Sequence, residues 1–273
     1  MPELAEVEYF RRRWDAGLGA RVERVLTHPK AGVFKKTDSA TLAARLTGAT
    51  LDASEAAAKQ MLFRATATDG TALWVGIHLG MTGELFAAPA GHAPRKSDHL
   101  VLSQRDRALV FSDPRMFGRV LFHEGPDAPS WWTSIAPPVT STAFTVGALT
   151  AFLARRARTP IKAVLLMQER FPGIGNWMAD EILWRAAIHP RRLAGSLSPD
   201  EIKTLHHEIR HVAKHALRII GRSDAPEMPD PPPDWLFQHR WTDGGLCPQT
   251  KTPLVREEIG GRTTCWSPAR QRL

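Results

Sequence analysis

Cysteine is scarce in this sequence: Cys247 and Cys265 are the only two among 273 residues, and tyrosine occurs once. Two cysteines are too few for the disulfide framework of a small secreted domain, so we expect a reducing, cytoplasmic compartment. The sequence also lacks any run of about twenty apolar residues, and it begins with Pro-Glu where a signal peptide would place basic and then apolar residues. We therefore expect neither a membrane span nor a signal peptide.

Acidic residues are outnumbered: 28 Asp and Glu stand against 36 Lys and Arg, which gives a net charge of +8. An excess of positive charge favours a polyanionic partner, and nucleic acid is favoured over an anionic membrane surface. The length of 273 residues is sufficient for two domains, each with its own core.

Hydrophobic spacing predicts a helix followed by strands in the first half of the chain. Leu4, Val7, Phe10 and Trp14 follow helical spacing up to Gly17. Strands are predicted over residues 61–68 and 72–79, on either side of an Asp-Gly turn, and over residues 99–103 and 108–112. This pattern indicates a mainly antiparallel β domain.

The second half of the chain is predicted to be helical. Four prolines within residues 125–141 indicate an interdomain linker. The clearest helix begins with Ser198-Pro-Asp-Glu201, a capping box with proline at the first helical position, and continues to Gly221. A proline-rich loop follows over residues 226–233, and the glycines and β-formers of residues 241–266 predict a hairpin with an exposed tip.

The first residues carry the groups of a possible nucleophilic site. Removal of Met1 would leave Pro2 as a secondary amine that can attack a sugar aldehyde, and Glu3 would supply acid and base. The alternative is a helix start, in which proline occupies the first position and acidic residues interact favourably with the helix dipole.

Several further segments could contact nucleic acid. The Gly-rich turn 172–176 can present backbone amides and the Asn176 side chain to a phosphate, although such a turn is also an ordinary chain reversal. Lys59 and Lys162 could be solvated charges. Met81, Arg115 and Phe117 lie on predicted loops after strands and could form a wedge that enters a base stack, or Met81 and Phe117 could be core residues.

One pattern indicates a metal site instead. His207-Glu-Ile-Arg-His211 fits the zinc-protease motif, and His215 extends the histidine stripe along the same helix. The helix is amphipathic with Ile209 and Val212 inward, so the histidines lie mostly on its polar side, and no suitable third ligand follows. We favour a solvated or DNA-facing stripe over a zinc hydrolase.

The order of these motifs resembles the formamidopyrimidine-DNA glycosylase/endonuclease VIII family over nearly the whole chain. The matching segments are Pro-Glu-Leu-x-Glu-Val-Glu at residues 2–8, Lys59, His-Leu-Gly-Met-Thr-Gly at 78–83, Asp-Pro-Arg-x-Phe-Gly at 113–118, Gly-Ile-Gly-Asn at 173–176, Ile-His-Pro at 188–190 and Gly-Gly-Arg-Thr-Thr at 260–264. Each motif is short, but their joint occurrence is highly specific.

The resemblance implies an α+β fold that holds DNA between two domains. The expected parts are an antiparallel β-sandwich with an N-terminal helix (residues 1–130), a linker (131–144), a helix–two-turn–helix domain (145–234) and a β-hairpin finger (235–273). The implied partner is double-stranded damaged DNA, bound by a monomer without a membrane. A bacterial member would be cytoplasmic and associated with the nucleoid.

Roles for individual residues also follow from the resemblance. Pro2 is the implied nucleophile, Glu3 the proton donor, and Glu6 a support near the sugar. The implied phosphate and DNA contacts comprise Lys59, Asn176 and Arg262 around the everted nucleotide, Lys162 near that pocket, His78 and Gly175 from the shared motifs, and Met81, Arg115 and Phe117 filling the gap in the duplex. That trio is more similar to the formamidopyrimidine branch than to the endonuclease VIII branch.

The implied activity is that of a bifunctional DNA glycosylase and abasic-site lyase in base excision repair. Oxidised purines are the favoured substrates, namely formamidopyrimidines and also 8-oxoguanine. Two alternatives stay open: a glycosylase for oxidised pyrimidines, and a catalytically silent protein that binds damaged DNA. The proline-rich composition of residues 222–234, where the lesion-capping loop would lie, and Met116 in place of an arginine leave lesion and opposite-base preference open.

The C-terminal hairpin departs from the family's zinc-finger form. The four zinc-ligand positions of that form fall on Cys247, Thr250, Ser267 and Arg270, so only one cysteine ligand remains. One thiolate cannot form a closed tetrahedral zinc site. We therefore predict a zincless finger and no cofactor, similar to plant and fungal members, with a hairpin held by packing. Candidates for that packing are Leu246, Leu254, Ile259 and Trp266.

Overall fold

The computed structural model describes residues 1–28 and 32–273. They form two compact units, the first comprising Met1–Pro2 and Glu6–Ile135 and the second comprising Glu3–Ala5 and Ala136–Leu273. Within the described part of the chain, no helix combines the length and the apolar character needed to cross a bilayer. The α+β fold class predicted from the sequence is confirmed.

Two antiparallel four-stranded sheets make up most of the first unit. Their strand orders are β1-β6-β7-β5 and β2-β3-β4-β8. The strands are β1 (Arg24–Thr27), β2 (Thr50–Ala57), β3 (Gln60–Thr66), β4 (Ala72–His78), β5 (Glu84–Pro89), β6 (Asp98–Ser103), β7 (Arg107–Ser112) and β8 (Arg119–Glu124). One hydrophobic cluster joins the inner faces of both sheets, with Phe63 from β3 and Phe111 from β7 among its fully buried members. The sheets therefore stack as a sandwich.

Local sequence explains the β3–β4 hairpin. Gly70 has a φ of +82°, which glycine adopts without steric cost, and the Asp69 side chain accepts a hydrogen bond from the Thr71 N–H at 3.0 Å. The predicted hairpin and the predicted β6–β7 pairing are both confirmed. Four further strands, β1, β2, β5 and β8, are absent from the sequence prediction.

Three helices belong wholly or mainly to the first unit: α1 (Leu4–Arg12), α2 (Ser39–Leu46) and α3 (Ser130–Thr133). The N-terminal helix ends at Arg12, and a 3-10 turn over Asp15–Gly17 completes the segment predicted as one helix. Trp131 of α3 packs against Gly76 of β4, where the indole ring occupies the space that a β-carbon would need. The first residues of the segment predicted as a linker are therefore packed on the first unit, because two tryptophans there provide apolar surface.

The second unit consists of four helices and one hairpin. The elements are α4 (Val146–Arg155), α5 (Ile161–Leu165), α6 (Asn176–Arg185), α7 (Pro199–Ala216), β9 (Val255–Ile259) and β10 (Arg262–Trp266). The α7 capping box is confirmed: the Ser198 side chain accepts from the Glu201 N–H, and the Glu201 carboxylate accepts from the Ser198 N–H. A single π-helical turn, Leu217–Gly221, ends this helix.

Only residues 255–266 of the hairpin predicted over residues 241–266 form paired strands. The preceding residues make a separate tight turn, in which Cys247 and Thr252 share a backbone hydrogen bond of 2.8 Å. Gly260 and Gly261 both have positive φ values, of 61° and 74°, which is the backbone of a type I′ turn. The two glycines therefore set the hairpin register and place Arg262 directly after the turn.

Candidate functional site

The carboxylate of Glu3 occupies the N-terminus of α6. Its Oε2 accepts hydrogen bonds from the N–H groups of Gly175 at 2.9 Å and Met178 at 3.1 Å, and its Oε1 accepts from Trp177 at 2.9 Å. The first N–H groups of a helix have no partner within the helix, and the positive end of the helix dipole lies there. The buried carboxyl group of Glu3 supplies hydrogen-bond acceptors for three N–H groups at this end of the helix.

This arrangement corrects the prediction for the Gly-rich turn 172–176. Among the turn's amides, the Gly175 N–H is already bonded to Glu3, the Gly173 N–H to the Gln168 side chain and the Ile174 N–H to the Phe171 carbonyl, so these groups do not have the open valence that a phosphate contact needs. A β-carbon at Gly175 would overlap the carboxyl group of Glu3, which explains the requirement for glycine. Pro2 is bonded to Glu3 through the peptide link and is partly exposed.

Asn176, the first residue of α6, connects this helix to the hairpin. Its Nδ2 donates a hydrogen bond to the carbonyl oxygen of Thr263 at 2.8 Å. Arg262, the neighbour of Thr263, is exposed. The two residues expected to hold phosphates are thus joined through one backbone group in the second unit.

Lys162 does not have the solvent exposure that a phosphate contact needs. Its side chain has no exposed surface, and its Nζ donates to the Asp180 carboxylate and to the carbonyl oxygen of Asn176, the latter at 2.7 Å. Burial lowers the pKa of Lys162, whereas Asp180 raises it. The predicted DNA contact by Lys162 is therefore wrong: the ammonium group is part of a buried ion pair.

Two loops of the first unit carry the predicted wedge. Met81 and Phe117 are 44% and 57% exposed, and the guanidinium of Arg115 lies 4.8 Å from the centre of the Phe117 ring. The possibility that Met81 and Phe117 are core residues is therefore wrong. Met116, between Arg115 and Phe117, is also exposed and has a positive φ of 54°.

Asp113 holds these two loops together, and sequence reasoning did not single it out. The fully buried carboxylate accepts from the Thr82 hydroxyl at 2.8 Å on one loop and from the Gly118 N–H at 2.7 Å on the other. Gly80 allows the loops to approach closely, because a β-carbon there would lie 2.5 Å from the Phe117 carbonyl carbon. The Asp-Pro-Arg motif contained the signal, but its carboxylate points inward.

His78 and Lys59 lie on the adjacent sheet of the same unit. Lys59 is in the turn between β2 and β3, and the strand registers place His78 opposite Gln60 on one side and Arg119 on the other. Burial, followed by the positive charges of Arg119 and Lys59, lowers the pKa of His78 to about 4. The imidazole is therefore neutral at pH 7, and its Nδ1 accepts a hydrogen bond from the Gly80 N–H at 3.0 Å. Glu6 is buried in α1.

The four positions of the zinc-finger form have other partners in this chain. Trp184 donates its indole N–H to the Cys247 sulfur at 3.4 Å, and the Arg270 guanidinium stacks on the Trp184 ring. Burial raises the pKa of the Cys247 thiol, but hydrogen bonds from Thr250, Ser267 and Trp184 outweigh it and bring the value to about 7. One thiol, two hydroxyls and a stacked guanidinium do not fit a zinc ion.

Apolar packing surrounds the base of the hairpin. A buried cluster contains Trp184, Leu236, Cys247, Leu254 and Cys265. Of the packing candidates, Leu254 and Ile259 are buried as predicted, Trp266 is partly buried, and Leu246 is 49% exposed, so its prediction is wrong. Both cysteines pack in this cluster as small buried side chains, which spacing alone could not indicate.

The histidines on α7 are not arranged as the ligands of a metal ion. His207 is exposed, and the rings of His211 and His215 stack with centroids 4.1 Å apart. Among residues 1–28 and 32–273, no group of three or more His, Cys, Asp or Glu side chains is arranged to hold a metal ion.

Comparison with known proteins decides the family. Residues 1–120 match the model of the formamidopyrimidine-DNA glycosylase N-terminal domain, and residues 135–225 match the model of the H2TH domain of the same enzymes. The formamidopyrimidine-DNA glycosylase of Geobacter sulfurreducens is 35% identical over 279 residues, with the whole of both chains aligned. That of Laribacter hongkongensis is 33% identical, again over both full lengths. The chain belongs to the formamidopyrimidine-DNA glycosylase family.

Solved structures of Fpg (MutM) from Lactococcus lactis share the fold. A complex of that protein with DNA containing N7-benzyl-Fapy-dG has a TM-score of 0.86 at 24% identity, with all of both chains covered. A complex with abasic-site DNA has a TM-score of 0.85 at 24% identity, covering 99% of this chain and all of the other. The family resemblance drawn from the motifs is thus confirmed.

Proposed function

We propose that this member of the glycosylase family removes oxidised purines from double-stranded DNA, foremost formamidopyrimidines, and cuts the strand at the resulting abasic site. The observation that carries the proposal is the fixed position of Glu3: three N–H groups of α6 hold its carboxylate next to Pro2 in the chain and next to Asn176 on the helix. The relatives named formamidopyrimidine-DNA glycosylase support the substrate class.

The proposed chemistry begins after removal of Met1. The secondary amine of Pro2 attacks the sugar C1′, the glycosidic bond breaks, and the bonding electrons leave with the base, which takes up a proton. Ring opening then gives an iminium ion in which the Pro2 nitrogen is doubly bonded to C1′. A secondary amine suits this step because its iminium carries a positive charge without further protonation.

Strand cleavage follows from the acidity that the iminium confers on C2′. A base removes a C2′ hydrogen, and the electron pair expels the 3′ phosphate; a second elimination on the other side would release the 5′ phosphate. Glu3 accepts the proton of the attacking amine and returns protons to the leaving groups. The bound amides keep the carboxylate in one position throughout.

Recognition of the everted nucleotide is proposed for exposed polar, charged and apolar side chains. Lys59, Asn176 and Arg262 bind the flanking phosphates, and Met81, Arg115 and Phe117 fill the space that the base vacates. Met81 and Phe117 are large apolar side chains that are exposed on a positively charged protein, which supports their proposed contact with the base stack. One copy of the chain on one damaged duplex is the proposed complex, without a metal cofactor.

Borohydride trapping tests the proposal. Processed protein is incubated with abasic-site duplex and borohydride, and the expected result is a covalent adduct between protein and DNA. The adduct should be lost in Pro2→Gly and in protein that retains Met1. Tight binding of the duplex without any adduct from correctly processed protein would identify a silent DNA-binding protein instead.

A lesion panel tests the substrate class. Duplexes carrying a formamidopyrimidine, 8-oxoguanine or an oxidised pyrimidine, each opposite all four bases, are compared under single-turnover conditions. We expect the formamidopyrimidine to be removed fastest. Faster removal of the oxidised pyrimidine would assign the chain an endonuclease VIII-like specificity.

A further inference from the structure

Asp180, a fully buried residue in the middle of α6, collects hydrogen bonds from three other segments of the second unit. Lys162 of α5 donates to its Oδ1. The guanidinium of Arg240 donates to Oδ2 through Nε at 3.2 Å and through a terminal nitrogen at 2.5 Å. The backbone N–H of Cys265 in β10 donates to the same Oδ2 at 3.1 Å.

The contact with Cys265 reaches the DNA-binding part of the hairpin. Cys265 lies three residues after Arg262 on the same strand, and between them the Thr263 carbonyl accepts the hydrogen bond from Asn176. Lys162 also donates to the backbone carbonyl of Asn176 at 2.7 Å. One carboxylate and its ammonium partner thus fix both β10 and the first residue of α6.

The network consists of buried charged groups. Lys162 and Arg240 are both buried cations that share the Asp180 carboxylate, and the charge of Glu3 also acts on Lys162. A buried ion pair contributes little net stability compared with apolar residues of the same size, so stability alone does not explain the network. Buried charges do restrict the geometry of the groups that hydrogen-bond to them. A hairpin that has no zinc ion to fix its position requires such a restriction.

We propose that Asp180 is a positioning residue that sets Arg262 and Asn176 for the phosphates around the everted nucleotide, in the role that the metal ion has in the zinc-finger form. This inference rests on the proposed function. Asp180 acts through the main chain of β10 and through Lys162, and it does not touch the DNA.

A double-mutant cycle on DNA affinity tests this role. Binding is measured to a duplex with a tetrahydrofuran abasic analogue, which needs no chemistry from the protein. Asp180→Asn should weaken binding about tenfold, equivalent to about 1.4 kcal/mol, in the wild-type background and less than about twofold in a background that carries both Asn176→Ala and Arg262→Ala. The rate of adduct formation at saturating abasic DNA should change by less than about threefold. Equal losses in both backgrounds would overturn the proposal.

Loss of the fold is separated from loss of position by a triple variant. Lys162→Met, Asp180→Leu and Arg240→Met together remove the three side-chain charges that meet at Asp180, and such replacements often preserve stability. This triple variant should unfold cooperatively and still bind DNA about tenfold more weakly, again only when Asn176 and Arg262 are present. Wild-type affinity in the triple variant, or failure of both Asp180→Asn and the triple variant to fold, would overturn the positioning role.

Ser198→Ala serves as the control, because it weakens the α7 capping box without contacting the network. Its DNA affinity should equal that of the wild type; an equal loss of affinity would show that lowered stability alone explains the effect. The wild-type protein is trapped with borohydride in parallel. Absence of the wild-type adduct would refute the proposed lyase reaction, while the binding cycle would still test Asp180.

Discussion

Glu3 and Gly175 fit each other so closely that the carboxyl group of the first occupies the space of a side chain on the second. The Gly175 N–H donates to Glu3 at 2.9 Å, so the glycine both admits the carboxylate and binds it. Gly175→Ala should displace Glu3 from the helix N-terminus. We expect a loss of about 1–3 kcal/mol in the free energy of unfolding and at least a tenfold slower adduct formation, measured by urea denaturation and borohydride trapping.

Gly147→Ala is the matched control for this change. Gly147 lies in the first turn of α4, and a β-carbon there meets nothing within 4 Å. Alanine should stabilise that helix by up to about 1 kcal/mol and leave the adduct rate unchanged. Normal catalysis by Gly175→Ala would contradict the assigned role of Glu3.

Substitutions in the exposed wedge should slow lesion excision and leave the free energy of unfolding nearly unchanged. Met81→Ala and Phe117→Ala remove apolar surface that is about half exposed, so the free energy of unfolding should change by less than about 0.5 kcal/mol. Excision from lesion-containing duplex should slow about tenfold or more, because the vacated position in the stack is no longer filled. Leu193→Ala, which removes an equally exposed side chain (45%), should leave excision intact. A large stability loss in the Met81 variant would show that its loop is part of the core.

The depressed pKa of His78 predicts acid sensitivity. In the unfolded chain this histidine takes up a proton near pH 6.5, whereas in the folded protein burial and then Arg119 and Lys59 delay protonation to about pH 4. The stability that depends on this residue is therefore largely present above about pH 6.5 and declines as pH falls towards 4, by about 3 kcal/mol in total. Urea unfolding from pH 4 to 7.5 should show that the stability difference between wild type and His78→Gln shrinks in this range. The exposed His207→Gln should show no such trend, and a constant difference for His78→Gln would disprove the effect.

Metal removal should leave the activity unchanged. The donor set at Cys247, Thr250, Ser267 and Arg270 does not suit zinc, and the stripe of His207 and His211 lacks a third ligand among the described residues. Dialysis against a chelator should preserve adduct formation, and elemental analysis should find far less than one zinc per chain. His207→Ala should be as active as the wild type. If the protein contains stoichiometric zinc and loses activity when the zinc is removed, the zincless finger is contradicted and a zinc-dependent reaction is supported.

Local signals determined which elements could be predicted from the sequence. The α7 helix was predictable because its capping box and apolar spacing lie within one segment, and the β3–β4 hairpin because Asp69-Gly70 encodes its turn. Strand β2 contains Glu55 and Ala56, which favour helix locally, and only its pairing with β3 makes it a strand.

The errors in the candidate site have a non-local cause. The Gly175 N–H, in the turn before α6, is bonded to Glu3, which lies 172 residues earlier in the chain. Lys162 is buried because its carboxylate partner stands on another helix, 18 residues away. Motif order indicated the candidate residues, but which of them face solvent depends on partners that no local pattern specifies.

Asp113 gives the wedge a property that its exposed tips alone would lack. Because this carboxylate bonds both loops before any ligand arrives, the loops are already in one conformation when the duplex is met. In the proposed function, binding then requires little ordering of the protein backbone, and the interaction energy of Met81 and Phe117 is available for opening the duplex. A wedge that is held rigid in this way would cost little conformational entropy each time it meets DNA.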